Sequence, residues 1–134
     1  MFPSHSPQQA VIASQLAVEL AAYDQGLGAL LQERWDPEAY RELCDAFDRM
    51  QMQAQALPRM AGAWTELLIS RVELTQALWS RRTPARLDGR VVALHAQHRA
   101  RLQDVLRRCA RFLPAQPAAF TAPADPGNPT GRAR

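Results

Sequence analysis

Two histidines in the stretch HAQH, His95 and His98, stand three residues apart, a spacing that puts both imidazoles on one face of a helix and could supply half of a zinc site. The other half is not visible. Cys109 lies eleven residues beyond His98, about 16 Å along a helix, too far to share an ion with it. No ExxH pattern of the kind that builds di-iron bundles occurs in the chain. Cys44 and Cys109 form no CxxC motif and are expected as small buried apolar groups. The reading is therefore no metal and no cofactor, with one histidine making a buried hydrogen bond and the other at the core boundary.

Catalytic signatures are equally scarce. A nucleophile needs a base within reach, and the chain contains no GxSxG, no HExxH and no glycine-rich phosphate loop. Of the acids, only Glu19 and Asp24 border an apolar stripe. No catalytic residue is assigned, and a non-enzymatic protein is expected.

The residue that most needs an explanation is Arg71, in the middle of the apolar side of WTELLISRVELTQALW, residues 64–79. Its neighbours one turn away are Leu67, Leu68, Leu74 and Thr75, so its own helix offers no acid. A buried guanidinium left unpaired is costly, and Glu19 and Asp24 are the expected carboxylate partners.

These residues need helices to hold them. Pro37, Pro58, Pro84 and Pro114 divide a chain rich in Ala, Leu, Glu, Gln and Arg, which predicts helices near 8–35, 37–56, 59–82 and 85–113. Asp36 and Pro37 make a strong start signal for the second, and Thr83 and Pro84 a similar one for the fourth. The first carries an apolar stripe of Leu16, Leu20, Tyr23, Leu27 and Leu30, with Gly26 and Gly28 beside it as points where the helix would loosen. The second stripe, Tyr40, Leu43, Phe47, Met50, Ala54 and Leu57, continues in register through Ala61, Trp64, Leu68, Arg71, Thr75 and Leu78. The fourth comprises Leu87, Val91, Leu94, His98, Leu102, Val105, Cys109 and Phe112.

The fold class is all-α, an antiparallel four-helix bundle with short proline-marked connections. The unbroken register across Pro58 keeps an alternative open: a three-helix elongated layer with a long central helix kinked at Pro58, which would dimerise to cover its apolar surface. With 134 residues the chain has room for one domain, read as an N-terminal extension at 1–7, a helical domain at 8–113 and a disordered Pro/Ala-rich tail at 114–134. No apolar run is long enough for a transmembrane segment and MFPSHSPQQA lacks a signal-peptide pattern, so a cytoplasmic protein is expected. All sixteen basic residues are arginine, which fits a GC-rich bacterial genome.

Charge is unevenly spread. Residues 19–73 hold ten acids and five arginines, net −5, whereas 81–111 hold nine arginines and two aspartates, net +7. Arg90, Arg101 and Arg108 belong to a basic outer face on the fourth helix that could meet an acidic protein or an anionic surface. Apposition of that helix with the acidic second one, which carries Glu38, Glu42, Asp45 and Asp48, is expected to neutralise much of it. A nucleic-acid partner is disfavoured, since there is no helix-turn-helix spacing, aromatic stacking cluster or lysine-rich arm.

What remains is an interaction protein. Val18, Met52, Ile69 and Val92 fall off the inner stripes, and Trp35 and Trp79 fall at helix ends. Trp64, Ile69, Arg71, Trp79, Met52, Arg90, Arg101 and Arg108 are the candidate partner-binding residues. The expected function is a chaperone- or adaptor-like module that docks a partner helix or self-associates as a homodimer. The alternative is a phasin-like structural protein coating a lipid or polymer inclusion through amphipathic helices.

Overall fold

A computed structural model of the chain describes residues 6–114. Four α-helices and one short 3₁₀ turn follow in order: α1 (Pro7–Gln32), α2 (Pro37–Gln55), α3 (Ala61–Ser80), the turn at Ala85–Leu87, and α4 (Gly89–Ala110). The protein is an all-helical four-helix bundle. Tyr40 meets Trp79, and Phe47 meets Trp64, so α2 and α3 run antiparallel and the chain reverses after Leu57. The long kinked helix is thereby ruled out. The N-terminal extension also ends one residue sooner than expected, because Ser6 caps α1 and Pro7 is its first residue. The tail expected at 114–134 lies, from residue 115 on, outside the described residues.

The helix ends follow local chemistry. Ser6 Oγ accepts from the Gln9 amide at 3.0 Å while Gln9 Oε1 accepts from the Ser6 amide at 3.2 Å, a reciprocal cap for α1. Asp36 Oδ1 accepts from the Glu38 and Ala39 amides at 3.0 and 3.4 Å, as its place before Pro37 predicts. The fourth helix departs from expectation. Pro84 opens only the 3₁₀ turn, and α4 starts at the second cap, Asp88 Oδ1, which accepts from Arg90 and Val91 at 3.0 Å each. Leu87 therefore sits outside α4, 68% exposed, instead of heading its inner stripe.

The reversal between α2 and α3 has no glycine or asparagine. Arg59 adopts φ 63, the left-handed conformation, and Met60 goes into the core as the first residue before α3. A left-handed non-glycine residue costs about 1–2 kcal/mol, which burial of Leu57 and Met60 on either side offsets. Gly26 does not loosen α1, which is continuous through it. A Cβ there would come within 3.0 Å of Leu43 Cδ2, so the glycine lets α2 approach closely.

The core takes Leu16, Leu20 and Leu27 of α1, Phe47 and Met50 of α2 and Val91, Leu102 and Val105 of α4 from the predicted stripes. On α3, Trp64 and Leu78 are joined by Leu67 and Leu74, which lie off the predicted stripe, whereas Leu68 and Thr75 are only partly buried. Packing is uneven around the ring. The α1–α2, α3–α4 and α1–α4 pairs are close, while the α2 and α3 backbones are more widely spaced and meet through the side chains of Tyr40, Phe47, Trp64, Arg71 and Trp79. Within the chain the acidic α2 and basic α4 are not close neighbours, which corrects the expectation that they neutralise each other by antiparallel apposition in one copy. The arginines of α4 turn instead to other acids: Arg99 to Asp24, Arg101 to Glu66 and Arg107 and Arg108 to Asp104.

Candidate functional site

Two polar features interrupt the core, and they lie side by side. The first is sealed. His98 is 0% exposed, with Tyr23 Oη 3.0 Å from Nε2 and Ser70 Oγ 2.7 Å from Nδ1. Ser70 Oγ also donates to the Leu67 carbonyl at 2.8 Å. Since that hydroxyl has one proton, it accepts from Nδ1–H, and Nε2 in turn accepts from the Tyr23 hydroxyl. Every proton in the chain Tyr23–His98–Ser70–Leu67 then has one acceptor, with His98 neutral.

Burial holds it so. Desolvation, followed by the positive character of His95 and Arg71, lowers the His98 pKa to about 4, against a weaker opposing pull from Asp24. Desolvation likewise pushes the Tyr23 hydroxyl well above its ordinary range and the Cys109 thiol up to about 11. Both nitrogens of His98 are spent on hydrogen bonds, leaving no lone pair for a metal. No group of three or more His, Cys, Asp or Glu converges among the described residues.

The second feature is Arg71. Both expected partners are engaged elsewhere: Asp24 accepts from Arg99 at 3.0 and 3.1 Å, and Glu19 takes Gln53 at 3.1 Å and Arg49 at 3.6 Å. Arg71 has no carboxylate partner among the described residues. Its guanidinium lies over the Phe47 ring, 4.3 Å from the centroid, and Phe47 is stacked in turn on Trp64 at 5.0 Å. The ring quadrupole replaces the anion, at about 0.5–1 kcal/mol where water still reaches the pair. Arg71 is half-buried, so solvent supplies the rest of its solvation.

Arg71 and its surroundings occupy the wide α2–α3 seam. Above Phe47, a space of only about 10 Å³ is bounded by Tyr40, Cys44, Arg71 and Thr75. Towards the reversal the seam opens into a hollow of about 290 Å³ lined by Gln51, Ala54, Leu57, Ala61, Trp64 and Leu68. The Trp64 indole N–H is buried there and has no acceptor among the described residues. At the opposite end Tyr40 makes an edge contact with Trp79, which is itself 71% exposed. On α3, Leu68, Val72 and Trp79 stand at i, i+4 and i+11 and form an apolar shoulder along the seam, with exposed Ile69 just outside it.

Four of the eight predicted partner-binding residues thus gather on α3: Trp64 and Arg71 line the seam, Trp79 borders it, and Ile69 flanks it. Trp64 is a floor residue, buried as its place on the apolar stripe predicts. Met52 is 68% exposed on the outward side of α2 and does not line the seam. Arg90, Arg101 and Arg108 lie away on α4, where Arg101 faces Glu66 at 3.9 Å and Arg108 faces Asp104 at 3.4 Å. Sequence reasoning missed Val72, next to Arg71 and off the inner stripe, and Leu68, which it placed wholly inside. A second hollow, about 270 Å³ between α1 and α2, holds the Glu19–Arg49 pair and Glu42.

Compared with known proteins, the chain matches no family model, no curated protein and no solved structure. Among the described residues, no helix is long and apolar enough to cross a membrane.

Proposed function

We propose that the protein is a non-enzymatic helical docking module, chaperone- or adaptor-like and cytoplasmic, that takes a helix of a partner protein into the α2–α3 groove. The observation that carries this reading is the coincidence of a widely spaced helix pair, with its hollow of about 290 Å³, and the exposed apolar residues Val72 and Trp79 on α3. Single exposed apolar residues are ordinary on a protein surface, whereas a contiguous apolar strip beside a groove marks an interface. A groove between two antiparallel helices is shaped for the apolar side of a third. The sealed setting of His98 and the raised thiol of Cys109 support a structural part for both.

The competing reading is a phasin-like coat. Light scattering on the purified chain, combined with flotation on neutral and anionic vesicles, separates the two. A docking module gives a discrete, non-floating species. Flotation with vesicles of either composition supports a coating protein and contradicts docking.

A further inference from the structure

Arg71 poses a problem that the fold alone leaves open. It is a cation in an apolar seam, with no carboxylate partner among the described residues, between hydrophobic surfaces that a docked helix would cover. Covering it removes the water that now solvates the guanidinium, so any occupant must bring an anion or bear the desolvation cost.

We propose that the α2–α3 groove receives one amphipathic helix from another protein, and that this helix carries a carboxylate seated on Arg71. This rests on the docking reading and adds the chemistry of the partner. The α2–α3 seam runs along α3 from Ala61 to Trp79, about 27 Å, open as a hollow from Ala61 to Leu68 and nearly filled beside Arg71, so an occupant lying along it spans about 18 residues. One acid interrupts its apolar stripe at the level of Arg71. Leu68, Val72 and Trp79 take the apolar side chains on either side of it.

A second copy fits this site poorly. Arg71 lies near the midpoint of the groove, so two-fold pairing on this face would place two guanidiniums together in an apolar seam. The chain's own stripe-bordering acids, Glu19 and Asp24, are already bound to Arg49 and Arg99.

The test is a display selection of amphipathic helices of about 18 residues, long enough to span the groove. The apolar stripe is fixed except for one randomised central position, and the flanking positions are randomised too. The full chain and its Arg71→Met variant serve as targets, each first checked for helicity and mass in solution. Clones selected on the native chain are expected to carry Asp or Glu at the central position and to lose about tenfold in affinity or more on Glu→Gln. With Arg71→Met that difference disappears, and with Arg71→Lys it returns in weakened form, because a point charge replaces the two-pronged fork. Should Arg71→Met fail to fold, the Glu→Gln comparison on the native chain still decides.

Clones without acid preference, displaced by the substitution Val72→Arg, would leave docking standing and overturn the carboxylate. Failure to select any clone overturns both. Two further results overturn the foreign helix: a native dimer that Val72→Arg converts to monomer, and clones that appear only once residues 115–134 are removed.

Discussion

Acid should weaken this bundle through one residue. In the unfolded chain His98 takes a proton below its ordinary pKa of 6.5, but in the fold only below about 4. Between those values the unfolded state holds the extra proton, so stability is fully present above pH 6.5 and falls as pH falls toward 4. The slope is about 1.4 kcal/mol per pH unit, and the total loss is about 3 kcal/mol, a large share of the stability of a small domain.

The groups around His98 set the window. Tyr23 and Ser70 bond its two nitrogens, His95 and Arg71 oppose protonation, and Asp24 favours it weakly. The assay is urea unfolding followed by tryptophan fluorescence at several pH values from 7.5 to 4.5, for the native chain and for His98→Gln. The variant is less stable at pH 7.5, by about 1–3 kcal/mol, because Tyr23 loses a buried acceptor. That gap should close as pH falls, since only the native chain carries the histidine term. Carboxylate effects are common to both proteins and cancel. Parallel pH profiles, or a gap that widens in acid, would refute the neutral buried network.

Other predictions follow from single contacts. Gly28→Ala should raise stability by about 1 kcal/mol in urea unfolding, because nothing lies within 4 Å of the added methyl group and alanine favours the helix. Gly26→Ala should gain less, since Leu43 must give way. Arg59→Gly should stabilise by up to about 1 kcal/mol by relieving the left-handed backbone, and a lower urea midpoint would count against that strain. Arg71→Met, which keeps the stem and loses the contact with Phe47, should leave stability within about 1 kcal/mol of the native chain, and a loss of several would show a structural partner for the guanidinium.

The helices were legible because their causes are local. Stripes such as Leu16–Leu20–Tyr23–Leu27 and the Asp36–Pro37 cap depend on residues within a few positions of one another, and both hold in the fold. Leu87 was misread because its periodicity matches α4, while the Asp88 cap, which overrides periodicity, starts the helix after it. The reversal at Pro58 was ambiguous since Arg59, not glycine, takes the left-handed turn.

Partners across the bundle were harder to read. Which acid meets which arginine depends on helix neighbours and on rotation about each helix axis, and Asp24 faces α4 instead of α3. The Tyr23–His98–Ser70 chain joins three helices, so only its buried histidine could be foreseen. The groove arises because α2 and α3 are the widely spaced pair, a matter of helix arrangement that stripes do not encode.

The central claim is that a partner helix docks along the α3 shoulder. Position-resolved photo-crosslinking tests it most directly, with the crosslinking amino acid placed at Val72 and, in a parallel chain, at Val11, an equally exposed residue on α1. In the cells that make the protein, Val72 should give one discrete crosslinked species that Leu68→Asp abolishes, and Val11 should give none. Equal crosslinking at both positions, or a Val72 adduct indifferent to Leu68→Asp, would contradict the account.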